Sequence, residues 1–124
     1  MILTRRSPPD SVESVQSVKR ESTDDIRDTR MIVGVMTAHL SLQGITSLKE
    51  KRSIVKSLIG RLKNRFNISI AEVDYQDSKS IAVIGVAVVS NDTRFIDQQF
   101  DAIVGFMRND GRFYLSQVER DTFS

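Results

Sequence analysis

From Met31 the chain alternates. Ile32, Met36, Ala38, Leu40 and Leu42 fall on one parity and Val33, Val35, Thr37, His39 and Ser41 on the other, the two-residue period of a β-strand with one strongly apolar face. Gln43 to Thr46 read as a turn around Gly44. Ser47 and Glu50 then stand at capping-box spacing ahead of Leu48, Val55, Leu58, Ile59 and Leu62, an apolar stripe of helical period that runs to about Arg65. Phe66 to Tyr75 and Ile81 to Val89 are two further strands, the second almost wholly aliphatic, and the short polar link Gln76 to Ser80 makes them a hairpin. Asn91, Asp92 and Thr93 are suited to cap a second helix with Ile96, Phe100, Ile103 and Met107 on one side and Gly111 as its stop; Phe113 to about Glu119 is the last strand.

This order, βαββαβ, predicts an α+β domain over residues 31–124: a ferredoxin-like sandwich with a four-stranded antiparallel sheet and two helices on one face. The second sheet face is then open. Val33, Val35, Thr37 and His39 are expected on it, with one alternating set from Ile81 to Val89, and a surface this apolar predicts self-association through the sheet into a homo-oligomer.

Residues 1–30 break from this pattern. Pro8 and Pro9, frequent Ser and Asp, isolated valines and six basic against six acidic side chains describe a disordered N-terminal tail, which cannot bury enough surface to offset the entropy of ordering. A regulatory or targeting role is the functional reading and a dispensable extension the plainer one. The pattern begins at Met31, so translation starting there is a further expectation, which the mass of the endogenous protein would test.

Composition mostly removes possibilities. There is no cysteine, hence no disulfide or thiolate site, and neither an apolar run long enough to span a bilayer nor a signal-peptide core, so a cytoplasmic location without membrane partners is expected. His39 is the single histidine and metal-ligand spacing is absent, so no catalytic residue, metal, cofactor or small-molecule substrate is expected. Glu72, Asp74 and Asp77 near the hairpin tip are more ordinary as solvated turn carboxylates than as cation ligands.

Net charge is only +2, but its distribution is uneven. Lys49, Lys51, Arg52, Lys56, Arg61, Lys63 and Arg65 crowd the first helix against one acid, Glu50. These seven residues are the candidate nucleic-acid contacts: such a helix suits a phosphate backbone, the alternative being a solvated face partly neutralised by Asp92, Asp97 and Asp101. Base stacking on the sheet in the manner of RRM domains is not expected, because neither predicted central strand carries an aromatic residue, and no Gly-x-x-Gly loop is present.

Leu42-Gln43-Gly44-Ile45 looks like the opening of the acylphosphatase phosphate loop. The arginine expected four residues after the glycine is replaced by Leu48, however, and the water-orienting asparagine has no counterpart, so a phosphoryl-handling enzyme is the weakest alternative.

Met31-Ile32-Val33-Gly34-Val35, Ser47 to Arg52 with Val55 to Leu58, Asn64 to Asp74 and Gly85 to Asp92 resemble, in order, the small bacterial YlxP-like family. The resemblance covers residues 31–124. It implies a ferredoxin-like domain of unknown function, often encoded beside translation and ribosome-maturation genes, and brings no catalytic residue. The reading reached is a non-enzymatic binding module that meets ribosomal RNA or a ribosome-assembly particle through its first helix. A regulatory homo-oligomer whose partner is another protein is the alternative.

Overall fold

The pattern from Met31 onward is realised as six elements in a computed structural model that describes residues 30–124. They are β1 (Ile32–Ser41), α1 (Leu48–Arg65), β2 (Ser69–Asp74), β3 (Ile81–Ser90), α2 (Thr93–Arg108) and β4 (Tyr114–Phe123). The strands form one antiparallel sheet in the order β2-β3-β1-β4, with β1 and β3 central. This is the ferredoxin-like α+β arrangement. The tail expected over residues 1–30 lies, apart from Arg30, outside the described residues.

Local chemistry sets the helix starts. Ser47 caps α1 by accepting from the Glu50 backbone N–H at 3.1 Å, while the Glu50 carboxylate accepts from the Thr46 N–H at 3.2 Å. The reciprocal arm thus closes one residue earlier than in the standard capping box. Asp92 caps α2 by accepting from the Arg94 N–H at 3.0 Å.

Both helices cover the same sheet face. Met36, Ala38 and Leu40 of β1 and Ala82, Ile84, Val86 and Val88 of β3 meet Val55, Leu58 and Leu62 of α1 and Ile96, Phe100, Ile103 and Met107 of α2 in one core. Gly34 belongs to this face, and a Cβ there would lie 2.3 Å from Ile96 Cγ2. The absent side chain lets α2 settle onto β1.

Three boundaries differ from expectation. Phe66 is the C-cap of α1, its N–H donating to the Leu62 carbonyl, so β2 begins only at Ser69. Asn109, in right-handed helical conformation, ends α2 in place of Gly111. β4 continues to Phe123 because β1 supplies backbone partners along its whole length, through the pair Val33 and Phe123. Its polar sequence hides that pairing.

Candidate functional site

The seven basic residues of α1 divide into three groups when wound at about 100° per residue. Lys51 falls among Leu48, Val55, Leu58 and Leu62, on the apolar side of the helix. Its side chain is 0% exposed. Nζ donates to Glu72 Oε2 at 2.7 Å and to the Tyr75 carbonyl at 2.8 Å, with the Gln76 carbonyl at 3.5 Å, so its three donors point into the β2–β3 turn. Lys51, expected at a nucleic-acid contact, is therefore an internal tie between α1 and β2: a buried ammonium requires a carboxylate partner, and Glu72 supplies it.

This tie organises the turn beside it. Tyr75 has φ 59°, the left-handed region that costs a residue with a Cβ. Its carbonyl accepts from both Lys51 Nζ and the Ser78 N–H, and its N–H donates to Asp74 Oδ1 at 2.8 Å. Glu72, Asp74 and Asp77 are thus separately engaged, Asp77 with Arg52 at 3.6 Å, and among the described residues no group of acidic or histidine side chains is placed to hold a metal.

Arg61 and Arg65 form the second group, on the flank facing α2. Each guanidinium lies 5.1 Å from the centroid of the Phe106 ring, and Arg61 also reaches Asp110 at 3.5 Å. Asp110 is held principally by Arg112, whose Nε and Nη2 donate to its two oxygens at 2.9 and 2.6 Å, while Nη1 donates to Ser57 of α1 at 3.3 Å. The turn after α2 is thereby clamped to α1.

The Arg112 hydrogen bonds hold the Asp110 carboxyl below its ordinary pKa, against the opposing effect of burial. A depressed folded-state value means that stabilisation is present above the unfolded-state pKa, about 3.9, and is lost as pH falls through the folded value. Urea unfolding from pH 6 downward is expected to show a loss of stability below about pH 4 that is shallower in Asp110→Asn. Parallel curves for the two proteins would contradict the clamp.

Lys49, Arg52, Lys56 and Lys63 remain. They lie within an arc of about 60° and along about 21 Å of helix, all exposed, and among the described residues only Arg52 of the four forms an ion pair. Among the described residues none of Asp92, Asp97 and Asp101 forms an ion pair with α1: Asp92 caps α2, and Asp101 pairs with Arg120 at 2.7 Å. Beside the N-terminus of α1 the Glu50 carboxylate accepts from the N–H and hydroxyl of Thr46, and Leu48 stands where an acylphosphatase would carry its arginine.

On the opposite side of the sheet, Val33, Val35, Thr37 and His39 stand together on the open face. β3 sets Val89, Ala87, Gly85 and Val83 beside them in the same order. The β4 edge of this face is polar. Gln117, Glu119 and Asp121 pair with His39, Thr37 and Val35, and Thr37 Oγ1 donates to Glu119 Oε1 at 3.3 Å.

Comparison with known proteins assigns the domain to a family. Residues 33–120 match the family described as protein of unknown function DUF503. The chain belongs to the DUF503 family. A curated relative, the uncharacterized protein YlxP of Bacillus subtilis (strain 168), is 30% identical over 76 residues, which are 61% of this chain and 83% of the relative. Among solved structures, the de novo designed protein Foldit4 aligns at 13% identity and a TM-score of 0.47, covering 77% of this chain and 98% of its own. SnoaB, a cofactor-independent oxygenase from Streptomyces nogalater, aligns at 13% identity and 0.39, covering 77% of this chain and 93% of its own. Neither structural likeness bears on what this DUF503 chain does. None of its helices, among the described residues, is long and apolar enough to cross a membrane.

Proposed function

We propose that this DUF503 protein is a non-enzymatic module that binds structured RNA, on a ribosomal or ribosome-assembly particle, along the exposed face of α1. The observation that carries the reading is the stripe Lys49, Arg52, Lys56 and Lys63, four exposed cations aligned on a helix whose Lys51 is buried and whose Arg61 and Arg65 lie against Phe106 on another flank. A rigid helix presenting cations along one line matches a phosphate backbone. The domain offers no RRM-type platform for bases: the central strands carry no Phe, Tyr or Trp, and Tyr114 and Phe123 stand at opposite ends of the β4 edge.

Binding of this kind is governed by counterion release. Four neutralised phosphates give a slope of log affinity against log salt of about −3 to −4, a loss of roughly a hundredfold between 50 and 200 mM salt. Fluorescence anisotropy with ribosomal RNA fragments is the direct measurement, accompanied by sedimentation of the tagged protein with ribosomal particles before and after nuclease treatment. Lys49→Glu/Lys56→Glu/Lys63→Glu is expected to abolish binding without changing the far-UV circular dichroism. Replacing a single lysine by alanine should reduce the salt slope by about 1. RNA binding that survives the triple reversal would move the contact off α1, and co-sedimentation that persists after nuclease treatment and at high salt would instead place the partner among proteins.

A further inference from the structure

The open sheet face has a shape as well as a composition. Near the β2 edge, small residues leave a hollow of about 300 Å³ over Val35, Thr37, Ala71, Gly85 and Ala87. Val73 walls it, and a Cβ on Gly85 would lie 2.9 Å from Val73 Cγ1. At the opposite edge Phe123, 57% exposed, stands on the same face as a knob beside Val33.

Area and charge select the occupant. Three strands about 33 Å long and β2 at about 20 Å, spaced about 4.8 Å apart, present roughly 570 Å² in projection, so two such faces bury on the order of 1,100 Å², close to the lower bound of a standard specific interface. Two copies stack face to face with their two-fold axis either across the strands or along them. Across the strands, β4 lies on β4, bringing Glu119 and Asp121 of both copies together and hollow against hollow. Along the strands, each β4 edge lies over the partner's β2 edge. The carboxylates then separate, and Phe123, level with Val33, arrives about two residues, roughly 7 Å along the strand, from the near end of the hollow at Val35, Ser69 and Ala87. The rotation of about 30° usual between packed sheets is enough to bring such offsets together.

We propose that the open face is the interface of a two-fold homodimer, packed sheet on sheet with the axis along the strands, in which Phe123 of each copy enters the other's hollow at the end formed by Val35, Ser69 and Ala87. The helices of both copies then face outward. Each dimer displays two α1 stripes on opposite surfaces, so the assembly is bivalent towards an anionic partner, yet its formation does not depend on that binding.

Sedimentation equilibrium of the full chain between 1 and 100 μM is expected to give about twice the 14.0 kDa of one chain. Val35→Asp, in the centre of the face, should leave a folded monomer, and Phe123→Ala should weaken dimerisation at least tenfold. Because the chain has no cysteine, Ser69→Cys/Phe123→Cys reports the pairing directly. The two positions lie on opposite edges of one sheet and two residues apart in level, about 16 Å in all, too far for a bond within one copy, so oxidation should produce a disulfide-linked dimer. A wild-type monomer throughout this range overturns the proposal, as does a dimer that neither forms that disulfide nor responds to Val35→Asp. Lys56→Glu is expected to leave the dimer intact, which separates failure here from failure of the RNA reading.

Discussion

Lys51→Ala is expected to destabilise the domain by about 3 kcal/mol, the lower end of the range for breaking a buried ion pair, because Glu72 keeps 15% exposure and some access to water. For a domain of this size that corresponds to a fall in Tm of at least about 12 °C. The substitution removes the cation that satisfies Glu72, and it also withdraws the donor that helps hold Tyr75 in its left-handed conformation. Lys51→Met/Glu72→Leu tests the cause: with neither charge left to bury, much of the loss should be recovered, since a well-packed apolar pair commonly replaces a buried ion pair without cost. Thermal melts by circular dichroism decide the matter, and a Lys51→Ala protein melting within about two degrees of the wild type would remove Lys51 from the interior. The same logic bears on function. Reversal of Lys51 is expected to unfold the chain rather than probe a partner, so a test of RNA binding belongs on Lys49, Lys56 and Lys63.

Gly34→Ala is expected to cost about 1–3 kcal/mol, the usual penalty for overfilling a packed core. The added methyl meets Ile96 Cγ2 at 2.3 Å and the Phe100 ring at 3.1 Å, and both side chains are buried, so neither has free space to yield into. Gly34 has an ordinary negative φ, which makes the cost one of space alone. A double-mutant cycle with Ile96→Ala isolates it: removing the obstructing methyl should make the double variant more stable than the two single losses predict. Additivity within about 0.5 kcal/mol would mean that β1 and α2 shift apart at little cost.

These results locate the two surfaces on opposite sides of one sheet. The core residues of β1 and β3 anchor both helices, while their alternate residues form the open face. The two surfaces can therefore be altered independently, which is why charge reversal on α1 and substitution at Val35 give separable readouts.

What the sequence by itself determined is whatever local periodicity and capping encode: six elements in order, the starts of both helices, the face of β1 on which Val33, Val35, Thr37 and His39 stand, and the core side of each helix. A two-residue or 3.6-residue period is a property of neighbouring positions. The fate of each charge is not. Lys51 already lay on the apolar side of α1 by helical spacing, a visible sign that it points inward, but Glu72 and Tyr75, which make its burial tolerable, come from a strand and turn more than twenty residues later. Arg61 and Arg65 likewise acquire Phe106 only when α2 packs beside α1. The hollow near β2, the acidic edge of β4 and its extension to Phe123 arise from strand pairing, because register decides which small residues lie side by side and which polar strand finds backbone partners. Tertiary structure therefore decided that Lys51 leaves the surface and that Arg61 and Arg65 lie against Phe106, since ion pairs and stacking depend on distances in space that adjacency along the chain does not specify.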